Sequence, residues 1–106
     1  MSRERRNNER KQILLEARWE SLSSRHEARV DDVSLGGCFV NSYAKVELGQ
    51  QIDLDIQLPS GDWLSLRGKV ASYQPGVGFG LAFSSLTAKE TAELKELIRT
   101  AKERKI

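Results

Sequence analysis

The sequence has one cysteine, one histidine and two prolines among its 106 residues. A single thiol, Cys38, excludes a disulfide within the chain, and this is typical of proteins from a reducing compartment. One histidine, His26, without a second histidine or a cysteine beside it, does not make a zinc ligand set. The composition therefore predicts neither a disulfide scaffold nor a metal site, and we expect no cofactor.

Long apolar runs are also missing. No stretch of about 18 apolar residues exists, and residues 1–11 are too charged for the apolar part of a signal peptide. The length fits one domain with a modest core, and the 30% of charged residues is typical of a folded, soluble protein. We predict a cytoplasmic protein without membrane insertion. Since no nucleophile is paired with a base, we predict that it is not an enzyme.

Positive charge lies at the two ends of the chain. Residues 1–11 carry +3 and residues 99–106 carry +3, so that the net charge of +2 leaves the middle of the chain at −4. A protein that binds a long nucleic acid along a whole face needs a broader basic surface than this. The pattern favours a small anionic ligand, although basic termini are also common as ordinary solvated tails.

Alternation of apolar and polar residues predicts six short strands between residues 12 and 84. The clearest alternation is Ile52–Leu58, and Pro59–Asp62 closes it as a hairpin turn. The other five predicted strands are Ile13–Glu20, His26–Asp31, Cys38–Asn41, Trp63–Tyr73 and Val77–Phe83. Strands of this number and spacing indicate a mainly β protein, either an antiparallel barrel or a strongly coiled sheet.

The period changes to that of a helix near the C-terminus. Thr87 and Glu90 have the spacing of a capping box, and Leu94, Leu97, Ile98 and Ala101 then recur at helical intervals. We predict one amphipathic helix over residues 87–103 that packs on the sheet.

Two short motifs carry the candidate binding chemistry. Arg6 and Arg10 are four residues apart, so that their side chains share a side in either a helix or a strand, and guanidinium groups suit phosphate oxygens and the O6/N7 edge of guanine. The second motif begins at Asp32, whose carboxylate suits the donors on the opposite guanine edge. Ser34 can serve a phosphate or ribose oxygen. Gly36 and Gly37 allow positive φ and close approach of a ligand.

These residues resemble the signature of the PilZ domain family, bacterial receptors for cyclic di-GMP. That signature is Arg-x-x-x-Arg in a flexible N-terminal segment, here within residues 1–11, followed by Asp/Asn-x-Ser-x-x-Gly after the second strand. The run Gly76–Phe83 also resembles the glycine-rich last strand of the family. The resemblance covers essentially the whole chain. It implies a six-stranded antiparallel barrel with a C-terminal helix, arginines that hold phosphates and a guanine edge, and a loop that holds the base from the other side.

Two further positions follow from the resemblance. Arg5, directly before the first motif, can stack on a guanine and favour two intercalated ligands over one. Ser72, with Tyr73 beside it, stands where many members carry an aromatic residue or an arginine near the base. This difference predicts a weaker affinity unless Tyr73 supplies the contact.

The resemblance predicts a receptor that passes the cyclic di-GMP signal to a protein partner, and other functions remain as alternatives. Each motif alone has a structural interpretation, as a solvated tail or as an Asx-type turn. A ligand-free adaptor in pilus or motility machinery is the main alternative, although such adaptors usually lack the arginine pair. Binding of single-stranded nucleic acid needs aromatic and basic residues across one sheet face, whereas the predicted outer faces here carry acids such as Glu16, Glu20, Asp53 and Asp55.

Overall fold

Six strands and one helix make up the computed structural model, which describes residues 15–21 and 24–103, with side chains as far as Thr100. In chain order they are β1 (Leu15–Ser21), β2 (Ser24–Asp31), β3 (Gly37–Asn41), β4 (Gln51–Gln57), β5 (Trp63–Gln74), β6 (Gly78–Phe83) and α1 (Ala88–Glu103). The predicted basic segment 1–11, with Arg5, Arg6 and Arg10, lies outside the described residues. Ile13 and the side chain of Ala101, which belong to the predicted apolar pattern, also lie outside the described part of the chain.

The strands form a closed antiparallel barrel in the order β1-β2-β3-β6-β5-β4, in which β4 pairs with β1. The predicted barrel and helix are thereby confirmed. All consecutive strands pair except β3 and β4; instead, β3 lies beside β6 and β4 lies beside β1. These two non-local pairings close the sheet, so that opposite faces of the barrel are formed by β1 and β4 on one side and β3 and β6 on the other.

Strand ends differ slightly from the prediction. β1 reaches Ser21 and β2 begins at Ser24, one and two residues beyond the predicted ends, because the β1–β2 ladder continues past the last apolar side chain and pairs these two serines. The last strand begins at Gly78 instead of Val77. Val77 belongs to the turn, since its N–H donates to the Gln74 carbonyl at 2.9 Å and Gly76 has a φ of 79°.

Inward side chains of all six strands form one core. Trp19 is 2% exposed and lies between His26, which stacks on it at 4.2 Å, and Phe79, which meets it edge to face at 5.3 Å. The other fully buried large side chains of the strands are Val30, Val40, Ile52, Leu54 and Ile56. Trp63, by contrast, is 38% exposed and lies on the outer face.

Helix α1 begins at the predicted capping box. The Glu90 N–H donates to the Thr87 hydroxyl at 3.0 Å, and the Thr87 N–H donates to the Glu90 carboxylate at 2.9 Å. Leu94, Leu97 and Ile98 are buried and join the same core. The apolar side of the helix therefore extends the core formed by the strands.

Glycines allow β6 to approach β3 closely. A β-carbon at Gly78 would lie 2.1 Å from the Val40 carbonyl oxygen, a distance that no side chain tolerates. Gly78 thus serves the close packing of adjacent strands.

We expect Gly78→Ala to destabilise the fold by about 1–3 kcal/mol, because the new methyl group displaces the β3 backbone. Gly76→Asn is the control two residues away. Its position has open space and a positive φ, which asparagine adopts, so that the cost stays below about 1 kcal/mol. Equilibrium urea unfolding measures both, and equal losses in the two variants would contradict the proposed close approach.

Candidate functional site

The loop between β2 and β3 carries the second predicted motif. It begins at Asp32, which is half-exposed and has a φ of 55°, the one positive φ among the described residues other than glycine. Aspartate adopts this left-handed conformation more readily than most residues, although at some energetic cost. Backbone strain of this kind is concentrated at binding sites, so the position of Asp32 supports a functional reading of the loop.

Ser34 holds the loop in shape. Its hydroxyl accepts the Gly36 N–H at 3.1 Å and donates to the Gly37 carbonyl at 3.4 Å, while its own N–H donates to the same carbonyl at 2.8 Å. Only 6% of Ser34 is exposed. Its hydroxyl therefore orders the turn, and direct contact with a ligand stays a prediction.

The two glycines act differently from the expectation. Neither Gly36 nor Gly37 has a positive φ; the left-handed residue of this loop is Asp32. A β-carbon at Gly37 would lie 2.1 Å from the Leu81 carbonyl oxygen, and the Gly36 carbonyl accepts the Phe83 N–H at 2.9 Å. Gly37 is needed because β6 approaches closely, and both residues join the loop to that strand.

A shallow groove of about 430 Å³ lies beside this loop, on the outer face of β3, β5 and β6. Three predicted loop residues line it, namely Ser34, Gly36 and Gly37, whereas Asp32 does not. Among the residues that line the groove, those of β5 and β6 on the outer face are small: Ala71, Ser72, Gly80 and Ala82. Phe39 of β3, which lies opposite Gly80 in the ladder and alternates with the buried Cys38 and Val40, belongs to the same outer face. The outward lining itself is small, and a flat ring can lie on it.

Only part of this groove was predictable from the sequence motifs. Ser72 was predicted near the ligand, whereas Ala71, Gly80 and Ala82 were not predicted as site residues. The available signal was the outward series Gly78, Gly80 and Ala82 at every second position of β6. Alternation along β5 does not single out Ala71, because the register of β5 against β6 shifts between Val70 and Ser72 and interrupts the alternation there.

Tyr73 does not replace the aromatic residue that the family carries near the base. It lies opposite Phe79 in the ladder and packs against the core, whereas Ser72, its neighbour, faces the groove. The groove thus has a serine hydroxyl at this position and no aromatic ring from Tyr73.

Electrostatically, the loop is acidic. Burial raises the pKa of the Cys38 thiol to about 12, and the negative charges of Asp31 and Asp32 add to this effect. Cys38 is only 4% exposed and belongs to the core. The nearby carboxylates attract cationic groups, and the first predicted motif, with Arg6 and Arg10, has that charge.

The opposite face of the barrel has a larger groove of about 680 Å³ with a different character. There Asp55 pairs with Arg18 at 3.6 Å, and Asp53 pairs with Arg67 at 3.2 Å. The two acids lie on a solvated, ion-paired face, as the sequence predicted. Arg18 also lies 3.8 Å above the ring of Trp63.

No cluster of three potential metal ligands occurs within residues 15–21 and 24–103. In the same part of the chain, no helix has the length and apolar character needed to cross a bilayer.

Residues 4–100 match the family model of the PilZ domain. The chain therefore belongs to the PilZ domain family. A comparison with curated proteins found no match.

Three solved structures show the same fold. The inhibitor of motility MotI/DgrA from Bacillus subtilis is 18% identical with a TM-score of 0.76, covering 96% of this chain and 53% of that one. YcgR from Escherichia coli in complex with c-di-GMP is 16% identical with a TM-score of 0.77, covering 93% and 46%. The PilZ domain of YcgR with c-di-GMP is 16% identical with a TM-score of 0.73, covering 95% and 97%. This chain spans about half the length of MotI and of the longer YcgR chain.

The state of Cys38 gives a test of the loop environment. Because the pKa of the thiol is about 12, we expect iodoacetamide at about pH 8 to alkylate it only after unfolding in urea. Mass spectrometry of native and unfolded samples measures the difference. Rapid labelling of the folded protein would show that Cys38 is not enclosed.

Cys38 also makes stability depend on pH. The thiol has an ordinary pKa of 9.0 and a raised pKa of about 12 in the folded protein, so its contribution is complete below pH 9 and is lost as the pH rises towards 12. The variant Cys38→Ala lacks this loss. We expect the difference in unfolding free energy between the two proteins to change above pH 9 and to stay constant below it.

Proposed function

We propose that the protein is a non-enzymatic receptor for cyclic di-GMP. The observation that carries the proposal is the loop from Asp32 to Gly37, which is held by the Ser34 hydroxyl and lies directly beside a groove of small residues. Membership of the PilZ family supports it, as do two related structures from Escherichia coli described with c-di-GMP.

Shape and charge of the site fit a guanine nucleotide. A purine ring needs a flat surface, and the groove offers backbone and small side chains over parts of three strands. Asp32 begins the loop and supplies an acceptor for the N1–H and amino donors of guanine. In this proposal Arg6 and Arg10 bind the phosphates and the opposite guanine edge. The loop and the groove cannot do this, because they offer acids and small residues and no cationic group.

Binding is transmitted to a protein partner by the basic N-terminal segment. An arginine-rich segment repels itself until a ligand with two phosphates neutralises it. Cyclic di-GMP then joins Arg6 and Arg10 to the loop that starts at Asp32, and the surface presented to the partner changes. The two negative charges of the phosphates equal the two positive charges of Arg6 and Arg10.

The two arginines give the most direct test. We expect Arg6→Ala or Arg10→Ala to weaken binding by about 1.5–3 kcal/mol, which is roughly tenfold to a hundredfold in Kd, because each loses charged hydrogen bonds to phosphate. Isothermal titration calorimetry at low salt measures the change. The matched control is Arg67→Ala, an exposed arginine on the opposite face of the barrel that pairs with Asp53.

A chain that gives no heat with cyclic di-GMP would contradict the receptor proposal and favour the ligand-free adaptor. If the ligand binds but the arginine variants bind as tightly as the wild type, the receptor stands and the proposed contacts are wrong.

Arg5 tests the stoichiometry. In this proposal its guanidinium group stacks on a guanine and stabilises a second, intercalated ligand. We expect about two ligands per chain for the wild type and about one for Arg5→Leu, which keeps much of the side-chain bulk without the charge. Calorimetry and sedimentation of the saturated complex both report this ratio, and an unchanged ratio would remove Arg5 from the site.

A further inference from the structure

Strand β2 is longer than the neighbour that covers one of its edges. It pairs with β1 along its length, from Ser24 to Val30, but pairs with β3 only at Arg29, Val30 and Asp31. Within the part of the chain that the structure describes, no strand lies along residues 24–28 on the side of β3. The barrel is closed where β2 pairs with both neighbours, at Arg29 and Val30. Residues 24–28 extend past the end of β3, and no described strand pairs with their outer edge.

The backbone groups of this edge point outward in a defined pattern. The Asn41 side-chain amide donates to the Arg29 carbonyl at 3.4 Å, so that this carbonyl faces the side of β3. In an antiparallel ladder, alternate residues direct their N–H and C=O to the same side. Arg25 and Glu27 therefore direct their backbone groups to the free edge, where they can pair with another strand.

Open space adjoins the end of this edge that is nearest to β3. A groove of about 470 Å³ lies there, lined by Glu27, Ala28 and Arg29 of β2, by Glu16 of β1 and by residues 41–43. After Asn41 the chain stays beside the turn that precedes β6, since the Ser42 N–H donates to the Val77 carbonyl at 3.1 Å. Tyr43, which borders the groove, is 88% exposed.

We propose that a second copy of this chain pairs antiparallel with this edge, through residues 24–28 and with the two-fold axis at His26. The segment reads Ser-Arg-His-Glu-Ala, and rotation about its central residue places Arg25 opposite the partner's Glu27. By symmetry Glu27 meets the partner's Arg25. The segment is thus complementary to itself in charge, which an arbitrary extended peptide is not.

The hydrogen-bond pattern fits this register. Arg25 and Glu27 both direct their backbone groups outward, so that Arg25 and the partner's Glu27 form a hydrogen-bonded pair that exchanges both backbone bonds. The His26 pair on the axis is then a pair without backbone hydrogen bonds. A register shifted by one residue would place outward groups opposite inward ones and lose these bonds.

Charged side chains of β1 continue the alternation of positive and negative charge that begins at this edge. Within one barrel Arg25 pairs with Glu20 of β1 at 3.2 Å, and Glu27 lies opposite Arg18 in the β1–β2 ladder. Across the dimer each row therefore runs from Glu20 to Arg25 and on to the partner's Glu27 and the partner's Arg18. Negative and positive side chains alternate along the row, and no like charges meet at the interface.

The interface is small, and the dimer is accordingly weak. Five residues from each chain bury far less than the roughly 1,200 Å² of a stable complex. We expect association in sedimentation velocity between about 10 µM and about 1 mM protein. In the same range the backbone amides of Arg25 and Glu27 should become protected from hydrogen exchange as the concentration rises.

Two charge reversals test the register. Arg25→Glu gives an edge with two acids and Glu27→Arg gives an edge with two bases, so that each variant repels itself and its dimer weakens by about tenfold or more. An equimolar mixture places acids opposite bases and should restore association as a heterodimer. Thermal unfolding of each variant verifies that the barrel stays folded.

Arg67→Glu is the matched control, because Arg67 is as exposed as Arg25 but lies on β5, whose two edges are paired. Its self-association should equal that of the wild type. A wild-type chain that stays monomeric at every concentration overturns the proposal, including the case in which another segment or protein covers the edge. Failure of the mixture to associate overturns the register.

Discussion

Close approach of β3 and β6 is the constraint on which the rest of the site depends. At Gly37 and Gly78 a β-carbon would lie 2.1 Å from a carbonyl oxygen of the facing strand, so that only glycine is compatible with this distance. The approach brings the loop after β2 against β6, where the Gly36 carbonyl accepts a hydrogen bond from Phe83. The β6 residues that face outward here, Gly78, Gly80 and Ala82, have no large side chain. The same contact thus closes the barrel and forms the groove.

Charge is divided between the two motifs in a complementary way. The loop has Asp31 and Asp32 near the buried Cys38, whose pKa is raised by burial and by both carboxylates. The arginines stand near the N-terminus, in a segment of charge +3. A cyclic dinucleotide carries phosphates that pair with arginines and base N–H donors that pair with a carboxylate. The proposal therefore requires both motifs.

The strand pattern was predictable because each strand buries one face. Ile52, Leu54 and Ile56 alternate with polar residues, and all three are fully buried in the barrel. The capping box before α1 was equally clear, because Thr87 and Glu90 satisfy the first helical N–H groups locally. Strand ends were less clear. Ser24 carries no apolar signal and pairs only because the β1–β2 ladder continues through it.

The sequence by itself determined the number of strands, the helix and the order of acid, hydroxyl and glycine in the loop, because these depend on periodicity and on interactions between near neighbours. Tertiary structure decided that Asp32, not a glycine, has the left-handed backbone, and that Ser34, Ala71 and Gly80 border one groove. The three groove residues come from a loop and from two separate strands. Their proximity depends on a non-local pairing, β3 with β6, and on a register shift in β5, neither of which any local pattern encodes.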